Sequence, residues 1–275
     1  MSAARKAVLA ALLAASGARG AAPSSSGILA DAVLDPNVPA IVADEGELLA
    51  HYAPPIVEGD AVYTEVKDGA WTGRATWETQ TWGVRRWDWK EGTLVERWTY
   101  WSDWKPVPFA QLGTNPQGVG PLWEPVFQPA SDGDRLWVPA ARGAIDEIRK
   151  EDGARIARIR PFGAADGPSI FVTGPVVAAA SGVYFDAISL DVDDPWDVDA
   201  AGSWLVRIAP GGAVTKKSFA DLVPGAPAAA SPCEISFPSS ELPFPPSPDA
   251  VPPTVPCGSP RASVGAGPAG GPDGT

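Results

Sequence analysis

The stretch DGDRLWV at residues 132–138 decides the fold prediction for this chain of 275 residues. It places a Gly-Asp turn directly before a short apolar run that contains an aromatic residue. A proline-led apolar pair, PVF, precedes it at residues 125–127. The same phrase occurs as PIVEGDAVY at residues 55–63, and as PVV at 175–177 followed by SGVYF at 181–185. Self-similarity at intervals of roughly 40 to 50 residues is typical of repeat architectures.

The segments around these phrases read as short strands separated by turns. Four-stranded blades are the β-unit of this repeat length. The first unit includes alternation at residues 61–66, a Thr, Trp and Val-rich strand at 76–88, and a strand at 93–100 after a Lys-Glu-Gly turn. Two further units follow after irregular, proline-containing connections. We therefore predict an all-β fold, a partial β-propeller of about three four-stranded blades within residues 49–223.

The first 20 residues have the order of a secretory signal peptide. Arg5 and Lys6 precede an Ala and Leu-rich run, and small residues follow, which predicts cleavage after Gly20. The run is too short to span a bilayer, which takes about 20 apolar residues. We expect an exported protein, periplasmic or extracellular, with a flexible lead-in at residues 21–48 that contributes an edge strand or a short helix.

The composition changes after residue 223. Closely spaced prolines leave few backbone N–H donors, so residues 224–260 are predicted to form a long extended loop. Residues 261–275 resemble the start of a further repeat, with a Gly-Pro pair and an Asp-Gly turn but no strand after it. We expect a truncated array whose open sheet edges favour self-association.

The formal net charge is −12 at pH 7, and loss of Arg5, Lys6 and Arg19 would make it more negative. Such a chain repels nucleic acid and anionic membrane surfaces. We therefore expect no nucleic-acid partner and no membrane span. The remaining class of binding partner is a protein or a glycan. The charges are scattered, so a solvated surface explains them without a cationic partner.

The segment from DGDRLWV through GAIDEI at residues 143–148 to EDGARI at 151–156 resembles the repeat of pyrroloquinoline-quinone-like, or quinoprotein-type, β-propellers. In that family the repeat is structural, and only some members bind the quinone or act as dehydrogenases. The chain has two cysteines and no adjacent cysteine pair of the kind found beside the quinone in alcohol-oxidising members. No residue matches a quinone ligand, so we expect no quinone cofactor.

Two other segments could carry chemistry. His51 is the only histidine, and no nucleophile motif lies near it, so it is interpreted as a turn residue. Carboxylates crowd the loop at residues 191–199, where a hard cation such as Ca²⁺ could bridge them, although a solvated hairpin loop is the favoured interpretation. The candidate calcium ligands are Asp191, Asp193, Asp194, Asp197 and Asp199.

Eight of the twelve tryptophans lie between residues 71 and 104. Alternation along a strand places Trp87 and Trp89 on one face, where they could form a platform for a sugar ring or a peptide with Arg86 at its rim. Packing between blades is the alternative interpretation of the same residues. We therefore treat Trp87, Trp89 and Arg86 as the candidate ligand platform.

Cys233 and Cys257 lie in a chain that we expect to be exported, where thiols tend to pair. A disulfide between them would remove about 3 kcal/mol of unfolded-state entropy. Two buried thiols, or partners outside this chain, are the alternatives.

Taken together, the residues favour an exported, non-catalytic binding or scaffold module. The alternatives are a fragment of a quinone-dependent dehydrogenase and a secreted carbohydrate-binding protein that uses the Trp-rich blade. No resident cofactor is expected beyond the candidate calcium ion.

Overall fold

A computed structural model describes residues 31–46, 52–107, 126–163, 170–190, 200–234, 247–260, 262 and 267–268. The described part of the chain is mostly β, with three larger antiparallel sheets that we name the first, second and third blade. Two short helices and a separate two-stranded ribbon complete it.

The first blade is a four-stranded meander in which each strand pairs with the next. Its strands are β1 Ile56–Glu58, β2 Ala61–Asp68, β3 Thr81–Lys90 and β4 Thr93–Trp101. Glu91 and Gly92 have positive φ angles of 50° and 83° in the turn between β3 and β4, and a tight hairpin turn requires this backbone conformation.

The strand predicted over residues 76–88 is wrong in its first part, because residues Arg74–Thr79 form a 3₁₀ turn and β3 begins at Thr81. The reason is a tertiary contact. The Trp77 indole is buried and donates a hydrogen bond from Nε1 to the carbonyl oxygen of Val107 at 2.9 Å. This contact fixes the turn in spite of the β-favouring Thr and Trp residues.

The second blade is also a four-stranded meander. Its strands are β5 Ala130–Asp132, β6 Arg135–Ala140, β7 Ala144–Arg149 and β8 Arg155–Ile159. Leu136, Val138, Ile145 and Ile148 are fully buried. Gly133 has a φ of 56° in the β5–β6 turn, where the quoted Asp-Gly sequence lies.

The third blade contains five strands, four in meander order and one extra strand that pairs with β11. They are β9 Ile170–Val172, β10 Val177–Ala179, β11 Gly182–Leu190, β12 Ala200–Ile208 and β13 Val214–Ser218. The extra strand β9 extends the sheet beside the end of β11 that the short strand β10 leaves unpaired.

Strands β1, β5 and β10, one from each blade, lie next to one another. The Ser131 hydroxyl in β5 donates a hydrogen bond to Glu58 in β1, and β5 also packs against β10. One hydrophobic cluster runs through all three blades and includes Tyr63, Phe127 and Phe185. Adjacent inner strands and sheets that share one core are the arrangement of propeller blades. The prediction of an all-β partial propeller of about three four-stranded blades is confirmed, with a fifth strand added to the third blade.

The lead-in contains a short helix, α1 Val38–Glu45, rather than an edge strand. Gly46 ends the helix in the left-handed conformation and donates its N–H to the carbonyl of Val42. Ile41 packs in a second, smaller cluster with Trp77, Val107, Ile188 and Leu190. A one-turn helix, α2 Phe219–Leu222, follows β13. No helix within the described ranges is long and apolar enough to cross a membrane.

The proline-rich segment is not entirely an extended loop. Strands β14 Pro232–Glu234 and β15 Thr254–Pro256 pair antiparallel, and a disulfide joins Cys233 in β14 to Cys257, the residue after β15. The pairing continues beyond the two strands. The Cys257 N–H donates to the carbonyl oxygen of Ser231, and the Gly258 N–H donates to that of Ala229. The prolines therefore limit this ribbon in length without preventing it.

Candidate binding face on the first blade

The two faces of the first blade differ in exposure. One face packs toward the second blade and buries Tyr63, Trp82 and Val84, with Trp82 only 1% exposed. Strand alternation directs every second side chain of β3, at residues 85, 87 and 89, and the cross-strand neighbours of these residues to the opposite face. We name this opposite face the outer Trp face and define it by Arg85, Trp87, Trp89, Glu96 and Trp101.

Hydrogen bonds fix the side chains of the outer Trp face. The Trp87 indole donates from Nε1 to Thr64 Oγ1 at 3.0 Å, and the Arg85 guanidinium lies 5.3 Å from the centre of the Trp87 ring. Arg85 Nε donates to Thr99 Oγ1 at 2.8 Å, and Arg85 Nη1 lies 3.4 Å from Glu96 Oε2. The ring, the cation and the carboxylate are therefore held in place before any ligand arrives.

Gly83 gives Trp101 its position on this face. The two residues are paired across β3 and β4, and a Cβ atom at residue 83 would lie 2.7 Å from Trp101 Cε3. Only glycine leaves room for the indole to lie across the neighbouring strand. Trp101 keeps 40% of its surface exposed. The sequence analysis did not single out Trp101 or Gly83. The available signal was that Thr99 and Trp101 are two residues apart on one strand, which places both on the same face.

Arg86 does not belong to the platform, and this part of the prediction is corrected. It lies on the opposite face from Trp87, because successive residues of a strand alternate. Arg86 Nη1 donates to the carbonyl oxygen of Lys150 at 2.6 Å, and Trp98 Nε1 donates to the same oxygen at 3.0 Å. Arg86 therefore joins the first and second blades, and Arg85 is the arginine beside Trp87.

Lys150 completes this connection with its ammonium group. Nζ lies 2.7 Å from Glu58 Oε2 and 2.6 Å from the carbonyl oxygen of Gly133. Burial acts to raise the pKa of Glu58, but hydrogen bonds from Lys150 and Ser131 outweigh burial and hold this pKa below its usual value. Lys150 thus connects the second blade to strands β1, β3 and β4 of the first blade.

The structure also contains a buried ionisable cluster that the sequence analysis missed. Lys67 Nζ lies 2.6 Å from Asp35 Oδ2, with the two side chains 2% and 0% exposed. The Tyr52 hydroxyl donates to the same oxygen at 2.6 Å. Burial raises the pKa of Tyr52 above its usual value, and the hydrogen bond to Asp35 adds to that shift. These contacts satisfy a buried charge pair.

Glu65 lies beside this cluster. Its Oε2 accepts a hydrogen bond from the Ala53 N–H at 3.0 Å, and its Oε1 is buried with no hydrogen-bond partner. Burial raises the pKa of Glu65 to about 8, although the Ala53 amide and the Lys67 charge act in the opposite direction. The sequence signal for this cluster was the period of two along β2, which places Tyr63, Glu65 and Lys67 together on its buried side.

Several predicted sites fall outside the described residues. His51 is one of them, and all of the candidate calcium ligands are others. Within the ranges that the structure does describe, no group of three or more His, Cys, Asp and Glu side chains could hold a metal ion. The calcium hypothesis therefore stays a prediction.

No family model matches this chain, and no curated protein matches it. Among solved structures, it is similar to a europium-containing methanol dehydrogenase, with a TM-score of 0.36, 14% identity, and coverage of 60% of this chain and 24% of that one. It is also similar to BamB from Moraxella catarrhalis, with a TM-score of 0.26, 12% identity, and coverage of 60% of this chain and 44% of that one. This chain thus spans less than half the length of either protein. With TM-scores this low, neither similarity supports a fold or a function for this chain. The fold assignment rests on the three blades described above.

Proposed function

We propose that this chain is an exported, non-catalytic, propeller-like module that binds a partner through the outer Trp face. One observation carries the proposal. Trp101 is 40% exposed and the Glu96 side chain 48% exposed on one side of a sheet whose other side is buried against the second blade. Exposed aromatic and charged groups on a rigid sheet are a typical arrangement for binding.

Preorganisation supports this role. Binding immobilises side chains, at a cost of about 0.5–1.5 kcal/mol for each flexible side chain. Trp87 and Arg85 are already fixed by their bonds to Thr64 and Thr99, so this cost is reduced. The polar groups beside the rings would supply orientation and specificity.

The buried ionisable groups support a non-catalytic role. A catalytic acid or base must reach its substrate. The Lys67–Asp35 pair is closed off from solvent, and Arg158 forms hydrogen bonds with the buried Asp146 at 2.7 Å. These groups stabilise the blades from inside, and the accessible chemistry lies on the outer Trp face.

Export is supported by the N-terminal sequence and by the disulfide, since disulfides persist in oxidising compartments. The test is to express the full chain and determine the mass of the recovered protein in each compartment. We expect a product that begins at Ala21 in the periplasm or the medium. An intact N-terminus confined to the cytoplasm would refute export.

The binding role can be tested with the immobilised protein and fractionated envelope or culture-medium material from the producing organism. We expect saturable binding that Trp87→Ala and Trp101→Ala weaken. A matched control is Val214→Ala, which removes an equally exposed apolar side chain from β13. If no fraction binds saturably, or if all three variants bind like the wild type, the proposed function fails.

A further inference from the structure

We infer that the outer Trp face binds a neutral, linear oligosaccharide, with pyranose rings lying on the indoles and hydroxyl groups bonded to Arg85 and Glu96. This inference rests on the proposed function and adds the chemical class of the partner. It follows from the spacing of the aromatic rings and from the hydrogen-bonding groups between them.

The aromatic residues form a row along the sheet. Trp87 and Trp89 are two residues apart on β3, which corresponds to roughly 7 Å along the strand. Trp101 pairs with Gly83, four residues before Trp87 on β3, and lies one strand further out. The row is therefore long enough for several sugar units in one extended chain. The apolar C–H face of a pyranose is complementary to an indole, which presents an apolar surface.

The polar groups lie between the ends of this row. Arg85 Nη1 and Glu96 Oε2 are 3.4 Å apart. Arg85 lies on β3 between Trp87 and the Gly83 position that pairs with Trp101, and Glu96 lies on β4 directly opposite Trp87. A guanidinium has five N–H donors and a carboxylate has about four acceptor sites, more than the described contacts with Thr99 and each other use. A sugar hydroxyl both donates and accepts, so neighbouring hydroxyls can satisfy both groups at once.

A proline-rich peptide is a poorer match to the same face. Prolines have no N–H, so such a peptide offers mainly acceptors. It would bind Arg85 but cover the Glu96 carboxylate without a donor, and an unpaired buried charge is costly. Anionic polysaccharides are disfavoured by Glu96 and by the net charge of −12. A neutral sugar chain avoids both costs.

Fluorine NMR of protein labelled with 5-fluorotryptophan tests this inference directly. Single Trp→Phe variants assign the signals of Trp87, Trp89 and Trp101, and buried Trp82 and Trp104 serve as internal controls. The probes are cellohexaose, laminarihexaose, maltohexaose and chitohexaose, with polygalacturonate and a decaproline peptide for comparison. We expect at least one neutral hexasaccharide to shift the three platform signals saturably and leave the two internal controls unchanged.

In the Trp87→Ala protein, the affinity for that saccharide should fall roughly tenfold. Arg85→Ala should weaken binding as well, whereas the Val214→Ala control should not. If the decaproline peptide shifts the platform signals and no saccharide does, the inference is wrong while the proposed binding role stands. If nothing shifts these signals, the sugar inference is overturned, and binding of protease-sensitive envelope material would still support the wider proposal.

Discussion

At the residue scale, Glu65 has the most unusual environment. It faces Asp35, Tyr52 and Lys67, and its unpartnered Oε1 is cut off from water. Burial favours the neutral acid, which raises the pKa from 4.5 to about 8. At neutral pH the cluster therefore combines one ion pair with one protonated carboxyl group.

The titration of Glu65 should make the folded state less stable at high pH. Between about pH 4.5 and 8 the folded protein retains a proton that the unfolded chain has lost. The stabilising contribution is complete below pH 4.5 and is lost as the pH rises through 8. Between pH 5 and 8 the loss is on the order of 4 kcal/mol, at 1.36 kcal/mol per pH unit.

Urea unfolding at several pH values measures this effect. The Glu65→Gln protein should show a much flatter pH dependence than the wild type over that interval. An equally steep dependence in both proteins would assign the titration to another group.

Gly83 is the second informative residue, because a side chain there meets Trp101 and the backbone of Tyr100. Gly83→Ala should destabilise the protein by roughly 1–3 kcal/mol through overpacking. It should also displace Trp101 and weaken partner binding. Gly211→Ala is the matched control, because nothing lies within 4 Å of a Cβ atom there and no positive φ strains it. Equal melting temperatures for the two variants would contradict this account.

At the element scale, the boundary between the first and second blades depends on Lys150. Its carbonyl oxygen accepts hydrogen bonds from Arg86 and Trp98, and its ammonium group contacts Glu58 and Gly133. A change of the side chain therefore removes only half of the connection. The backbone half persists in any variant that folds.

Lys150→Met should reduce the free energy of unfolding by roughly 1–3 kcal/mol, because it removes a mostly buried ammonium group and its hydrogen bonds. Part of this loss comes from leaving Glu58 without its cation. A second change, Glu58→Gln, should therefore cost less in the Lys150→Met protein than in the wild type. Chemical denaturation of the four proteins of this cycle measures the coupling, and strictly additive losses would show that the pair does not interact.

The strand pattern was predictable from the sequence wherever local signals agreed with tertiary packing. The alternation at residues 61–66 and the Lys-Glu-Gly turn are local features, and they predicted β2 and the β3–β4 hairpin correctly. The 3₁₀ turn at Arg74–Thr79 was missed because a distant partner, Val107, fixes Trp77. For the candidate site, alternation identified Trp87 and Trp89, and the same alternation places Arg85 on their face and Arg86 on the opposite one. The sequence could not show that Arg86 reaches the Lys150 carbonyl oxygen of the second blade, because that contact depends on how the blades pack.

At the scale of the whole molecule, the three blades share one hydrophobic core. Phe127 is fully buried in it, 5.4 Å from the Trp104 ring, and Trp104 donates from Nε1 to the carbonyl oxygen of Val172 in the third blade. Side chains from one blade thus stabilise the next. Sheets that depend on a common core are expected to unfold together.

Phe127→Ala should lower the stability by roughly 3–5 kcal/mol, because it leaves a cavity in this core. Unfolding should remain a single transition, with far-ultraviolet circular dichroism and tryptophan fluorescence giving the same midpoint. Separate midpoints for the two signals would mean that the blades unfold independently. Val214→Ala, on the exposed strand β13, should leave the midpoint nearly unchanged.

The lengths of the innermost strands have a consequence for local opening. Strands β1, β5 and β10 contain three residues each, whereas β3 contains ten and β11 nine. A short strand opens at little cost, and a central strand opens only with its sheet. Amide hydrogens should therefore exchange with deuterium fastest beside the inner edge and slowest in β3, β7 and β11. The array would loosen from its axis outwards, and its inner edge would be the first part accessible to another strand.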